Sequence, residues 1–178
     1  MRIISGSRRG AKIAAPPGLG TRPTGDRVRE AAFNLIGPVD GAEVLDLFAG
    51  SGAMGLEALS RGASRVVFVE SERAACRTID SNLERLRLPG AAVLCTDVLA
   101  ALVTQARAGR RYDLVLVDPP YGTFTNLRQP LSTYLPRLLG EDGLVVVETG
   151  AGERPELGLL ERTSRRYGAA RLTLFEHP

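Results

Sequence analysis

Asp118-Pro119-Pro120-Tyr121 stands directly behind the apolar run Leu114–Val117. Two consecutive prolines cannot continue a strand ladder, since neither carries an N–H and both have φ fixed. The chain is therefore expected to break at the carboxyl end of a buried strand, where open α/β sheets put their ligands. The break leaves a corner rich in acceptors, the Asp118 carboxylate and the Pro119 carbonyl, with Pro120 and the flat ring of Tyr121 beside them. Such a corner suits a planar base with an exocyclic amine, a donor carrying a π face.

Upstream, Val44–Leu59 reads as strand, glycine turn and helix, and Gly50, Gly52 and Gly55 match G-x-G-x-x-G. Glycines at that spacing allow a tight turn, close backbone approach to a ligand and close helix–sheet contact. Glu70 ends the next apolar run, Arg65–Val69, where a dinucleotide-binding fold places its ribose acid. These residues alone do not separate a nicotinamide site from any other adenosyl site. Asp46 adds a constraint, because an ionised carboxylate four residues before the first glycine opposes a pyrophosphate and suits a cationic amine.

A wider pattern includes both motifs. Asp46, Glu70, Asp97 and Asp118 each fall at the carboxyl end of an expected strand, at 44–48, 65–70, 91–96 and 112–117. Four acids on one rim repel one another unless a cationic or donor-rich ligand lies among them. S-adenosylmethionine answers that description, with a ribose diol, an adenine amine, an α-ammonium and a sulfonium. Any one of these acids has a simpler reading as the cap of the helix that follows.

Those acids need a scaffold, and length and composition supply one. A chain of 178 residues, 44% of them hydrophobic, holds one α/β domain with a proper core and little else. No apolar run reaches membrane-spanning length and the amino terminus is no signal peptide, so a cytoplasmic protein without membrane contact is expected. Cys76 and Cys95, far apart in sequence, read as reduced core residues, and no metal-binding cluster is visible. Helices are expected at 24–36, 53–61, 72–88, 98–108 and 127–139, with Ser71 as an N-cap and Ile79, Leu83 and Leu86 as a core stripe. Leu144–Glu148 reads as a fifth strand, and Leu159–Arg166 with Arg171–Glu176 as a hairpin closing the sheet with an antiparallel edge.

Charge is uneven. The net charge is +3, yet residues 1–30 carry seven basic side chains against Asp26 and Glu30. Arg2–Ser5 and Ala11–Ala14 flank the turn Ser7-Arg-Arg-Gly10, a basic hairpin beside an acid-rimmed cleft. Arg8, Arg9, Lys12 and Arg22 are the residues expected to grip phosphates. The competing reading is a solvated basic edge that prevents strand pairing.

The basic hairpin, Arg22–Glu30, Leu45–Gly62, Asp118–Tyr121 and Tyr167–Leu172 together resemble the bacterial small-subunit (16S) ribosomal RNA guanine-N2 methyltransferases of the single-domain type. One departure is Gly25, where relatives usually carry a second Thr. The resemblance implies a Rossmann-like class I methyltransferase fold, a mostly parallel seven-stranded sheet with a reversed last strand. One domain would span 1–178, with residues 1–20 as its hairpin extension. It implies cofactor contacts from Asp46, Phe48, Gly50, Gly52, Glu70 and Asp97, and catalytic contacts from Asp118, Pro119 and Tyr121. Pro120 and Tyr121 would join the basic residues in holding substrate. The expected partner is ribosomal RNA or an assembling small subunit, bound by a monomer. A DNA adenine-N6 methyltransferase shares both motifs but usually needs a sizeable target-recognition region. An NAD-dependent oxidoreductase leaves Asp118–Tyr121 unexplained, and a non-catalytic RNA-binding protein leaves the acid rim unexplained.

Overall fold

In the computed structural model, which describes residues 1–16, 25–120 and 122–177, strands and helices alternate along most of the chain. Arg22 and Tyr121 lie outside the described residues. The strands are β1 (Glu43–Leu47), β2 (Arg65–Glu70), β3 (Ala91–Cys95), β4 (Tyr112–Val117), β5 (Leu139–Gly150), β6 (Leu160–Tyr167) and β7 (Ala170–Glu176). They form one sheet in the order β3-β2-β1-β4-β5-β7-β6. The first five run parallel, and β7 is antiparallel to both its neighbours. The expected seven-stranded sheet with a reversed last strand is thus present. The expected closing hairpin is present too: β7 slots antiparallel between β5 and β6 and leaves β6 outermost.

Helices cover both faces: α1 (Asp26–Ile36), α2 (Ala53–Ser60), α3 (Arg73–Leu86), α4 (Val98–Arg107) and α5 (Phe124–Leu138). Alternation along β1 sends Val44 to one core, with Phe33, Leu56, Phe68 and Ile79 from α1, α2, β2 and α3. Leu45 and Leu47 enter the other, with Leu102, Leu131 and Leu135 from α4 and α5. Burial on both faces accounts for strands that read as continuous apolar runs.

Where the elements depart from expectation, tertiary contacts explain it. α5 starts earlier than its periodicity suggests because Phe124 is buried, and it tolerates Pro130 and Pro136. Fully buried Leu131, Leu135 and Leu138 outweigh the lost helical N–H groups. β5 begins directly after α5, pairs Tyr112 with Leu139, and then shifts register to pair Leu114 with Leu144. Only glycine fits at 143, where a Cβ would stand 2.8 Å from the Leu139 side chain and 2.9 Å from the Tyr112 carbonyl. The N-cap of α3 is Glu72 rather than Ser71. Gly25, in place of the usual Thr, is the N-cap of α1 and offers no capping side chain.

The N-terminal hairpin is held by a single antiparallel bridge, Arg2 to Lys12, around a 3-10 turn at Gly6–Arg8. It forms no extended ribbon because its backbone groups are taken elsewhere. The Glu57 carboxylate on α2 accepts from Ile4 N (2.8 Å) and Ser5 N (3.0 Å), and Ser60 Oγ accepts from Arg8 N (3.0 Å). Ile3 and Ile13 enter the core. The hairpin is bolted to α2 and α3.

Candidate active site

Between β1 and β4 the strand order reverses, and at such a switch point an open sheet leaves a crevice at its carboxyl ends. Asp46 and Asp118 flank it. Following the sheet from β3 to β4, the rim presents Asp97, Glu70, Asp46 and Asp118 in that order. Neighbouring strands are about 4.8 Å apart, so the row spans roughly 14 Å.

The four acids are not equivalent. Asp46 pairs in register with Phe68 and Leu116, two residues short of Glu70 and Asp118, so it sits one level deeper. It is 3% exposed and its Oδ2 accepts from Gly55 N at 2.9 Å. Burial, opposed by that hydrogen bond and reinforced by the nearby charges of Asp118 and Glu70, pushes its pKa up to about 7. Among the described residues no cation pairs with it.

Glu70 is half-buried and pins the turn: Oε2 accepts from Gly50 N (2.8 Å) and Oε1 from Glu72 N (2.9 Å). Each carboxylate oxygen keeps a second lone pair for a further donor. Asp97 caps α4, its Oδ1 accepting from Leu99 N (2.8 Å) and Ala100 N (3.3 Å). The helix-cap reading therefore holds for this acid, with Oδ2 left for any second role. Asp118 is half-buried, Pro119 buried and Pro120 exposed, and the Pro120 carbonyl accepts from Thr123 N and Oγ1.

The glycines behave as their spacing suggests. Gly52 is left-handed (φ 77°) at the N-cap of α2, and a Cβ there would lie 3.1 Å from Ile79 Cγ1. A Cβ on Gly55 would come within 2.3 Å of Phe68, so α2 lies on β2 only because that side chain is missing. Phe48, half-buried, holds φ at 61° immediately before the turn, strain that an aromatic residue rarely carries.

The basic side chains divide. Arg9 and Lys12 are exposed, whereas Arg8 is half-buried with Nε donating to the Leu86 carbonyl and Nη2 to the Arg87 carbonyl at 3.2 Å. Arg8 closes the carboxyl end of α3, so its guanidinium is already engaged.

Three features escaped the sequence reading. Glu148 on β5, 6% exposed, follows Val147, the register partner of Val117, and so stands next to Asp118 on the rim. It ends an expected strand exactly as the other acids do, which was the signal available. Glu57 is fully buried, 2.8 Å from Arg61 Nε and 3.6 Å from Arg29 Nε. Cys76 and Cys95 are free thiols as expected, but only Cys76 is in the core and Cys95 is exposed; what the sequence hid is that they meet, with Cys76 Sγ also donating to the Glu70 carbonyl at 3.3 Å. Burial and its hydrogen bond with Cys95 push Cys76 up to about 12. Among the described residues no group of three or more metal-binding side chains occurs, and no helix is long and apolar enough to cross a membrane.

Known proteins resemble this chain over most of its length. "Putative rRNA methyltransferase YlbH" of Bacillus subtilis is 43% identical over 155 residues, 83% of this chain and 82% of its own. "Ribosomal RNA small subunit methyltransferase D" of Escherichia coli strain K12 is 44% identical over 122 residues, 68% of this chain and 60% of its own length. Among solved structures, "Putative methyltransferase yhhF" from Escherichia coli superposes with a TM-score of 0.84 at 33% identity, covering 100% of this chain and 99% of its own. The family described as "Conserved hypothetical protein 95" matches residues 1–176, and the chain belongs to it.

Proposed function

We propose that the protein transfers a methyl group from S-adenosylmethionine to the exocyclic N2 amine of a guanine in small-subunit ribosomal RNA. The observation that carries this reading is the ordered row of carboxylates across the switch point, with the most deeply buried one facing no cation among the described residues. The names of the relatives, rRNA methyltransferases in both cases, support the substrate class.

The residues present fit S-adenosylmethionine. Asp97 would accept from the adenine amine, Glu70 would take the ribose hydroxyls, and the Gly50–Gly52 turn would admit the methionine part, with Phe48 beside it. Asp46, whose burial disfavours its anionic form, would gain a cationic neighbour. When bound, the cofactor supplies an electrophilic methyl on a positively charged sulfur.

The guanine leaves its stack at a cost of a few kcal/mol. Stacking on Tyr121 would return roughly 1–3 kcal/mol, with Pro120 as a further substrate contact. The N2 lone pair is delocalised into the ring and nucleophilic only when pulled out of conjugation. Asp118 and the Pro119 carbonyl do this by accepting the two N–H bonds, which also fixes the direction of the lone pair; positioning supplies about 7–11 kcal/mol in favourable systems. As the nitrogen gained the methyl, the methyl–sulfur bond would break with its electron pair passing to sulfur, leaving S-adenosylhomocysteine, and the nitrogen would then lose one proton to solvent, so no strong base is needed. Arg9, Lys12 and Arg22 hold phosphates; Arg8 sets the arm in place. A small domain offers little surface for reading sequence, which favours an assembling particle as substrate, bound by a monomer.

The test is incubation with labelled S-adenosylmethionine and small subunits from cells lacking the gene, followed by nucleoside analysis. N2-methylguanosine is expected; label on adenine, or none, overturns the reading. Asp118→Ala should lower kcat by about a hundredfold or more while S-adenosylhomocysteine affinity stays nearly intact. Equal loss of both would move Asp118 into the cofactor contacts.

A further inference from the structure

Asn82, on α3 and 1% exposed, makes three of its four amide hydrogen bonds to two separate elements. Its Oδ1 accepts from Ala14 N at 2.9 Å, and its Nδ2 donates to the Ala14 carbonyl at 3.0 Å and to the Ser51 carbonyl at 3.2 Å. Arg85 Nη2 fills the second acceptor position on Oδ1 at 2.7 Å and reaches the Lys12 carbonyl at 2.6 Å. An asparagine amide offers two donor and two acceptor positions, so none is left over.

The two elements are the ones assigned different ligands above. Ala14 continues the hairpin that carries Arg9 and Lys12, and Ser51 lies between Gly50 and Gly52 in the cofactor turn. One helical turn back from Asn82, Ile79 fills the space that a side chain on Gly52 would need. The same stripe of α3 therefore sets the turn by contact and joins it to the arm by hydrogen bonds. Moving the arm while keeping the turn fixed and Asn82 in place breaks its two bonds to Ala14 and leaves the amide of a side chain only 1% exposed without those partners.

We propose that Asn82 is a positioning residue that couples the arm to the cofactor turn, so that ribosomal RNA on one tightens S-adenosylmethionine or its product on the other. The four bonds are satisfied together in one arrangement, and a ligand that holds either element in it holds the other. Coupling of this kind is reciprocal, so it can be read from either ligand.

The inference rests on the functional reading above, and the experiment separates the two. Affinity of the full-length protein for small ribosomal subunits lacking the methyl group is measured with and without saturating S-adenosylhomocysteine. The wild type should bind subunits about fivefold or more tightly with the nucleoside present, within the ordinary range of coupling between sites. In Asn82→Ala the ratio should fall to about one, with both ligands still bound by the folded protein. Asn82→Asp, which keeps the shape and one acceptor but loses both donors, should do the same. Arg85→Ala, at the surface, tests the link without risk to the core and should lower the ratio partway. A ratio near one in the wild type with both ligands bound overturns the coupling alone, as does a wild-type ratio in Asn82→Ala or Arg85→Ala. Failure of the wild type to bind the nucleoside overturns the functional reading and the coupling with it.

Discussion

Two buried carboxylates on the same face of the sheet have opposite surroundings. Glu57, on α2, accepts from two backbone N–H groups of the arm and faces the guanidinium groups of Arg61 and Arg29. Asp46, on β1, has one backbone donor and two acids for neighbours, and its pKa rises to about 7. A compensated buried charge is architecture, because its counter-charges and donors are supplied by the fold itself. Asp46 meets no such cation among the described residues, and the functional reading proposed above assigns the opposite charge to a bound ligand.

The sharpest way to break this contrast is Glu57→Ala. It should cost about 3–5 kcal/mol, the usual loss when one partner of a buried ion pair is removed, read as a lower urea midpoint. A loss below about 1 kcal/mol, the range of surface pairs, would remove Glu57 from the architecture.

Asp46→Asn should act in the reverse sense. Between pH 4 and 7 the native wild type binds more protons than the unfolded chain, so its stability falls as pH rises through that window. Asn carries no charge, so the variant should unfold at a higher temperature than the wild type at pH 8 and lose that advantage near pH 4. Its affinity for S-adenosylmethionine should drop by about 1–3 kcal/mol. Wild-type affinity should rise from pH 6 to 8 with release of a proton, seen by calorimetry in buffers of different ionisation enthalpy. A pH-independent affinity would separate Asp46 from the cation.

Smaller effects sharpen the arm. Neutralising Arg9 and Lys12 should flatten the slope of log K against log salt for single-stranded RNA by roughly 0.7 per lost contact, leaving cofactor affinity unchanged. An unaltered slope returns the arm to a purely structural role. Smallest of all, Gly25→Thr restores a capping hydroxyl to α1 and should change stability by only a few tenths of a kcal/mol, detectable as a shift in thermal midpoint.

Periodicity and punctuation carried most of the fold. Apolar runs ending in Asp or Glu located the strands, and Gly50, Gly52 and Gly55 located the turn, because both are local properties of the chain. What stayed hidden depends on partners far away in sequence. Glu57 reads as one more polar position of a helix until Ile4 and Ser5 arrive, 53 and 52 residues away. Asn82 meets Ala14 across 68 residues, and Arg8 meets Leu86 across 78. A guanidinium that caps a helix and one that waits for phosphate look alike in sequence, which is why Arg8 was grouped with Arg9. The depth of Asp46 was equally illegible, since register is set between strands and not along them.

The strand order β5-β7-β6 also bears on synthesis of the chain. β6 is made before β7 and pairs only with it, so in a nascent chain that has not reached Ala170 β6 has no neighbour and the outer edge of β5 is open. Val145, Val146 and Val147 of β5 are buried in the finished sheet. Open apolar edges recruit strands from other molecules. Chains stalled or cut before β7 are therefore the form of this protein most prone to aggregate, and the short segment Ala170–Glu176 closes that hazard in a single step.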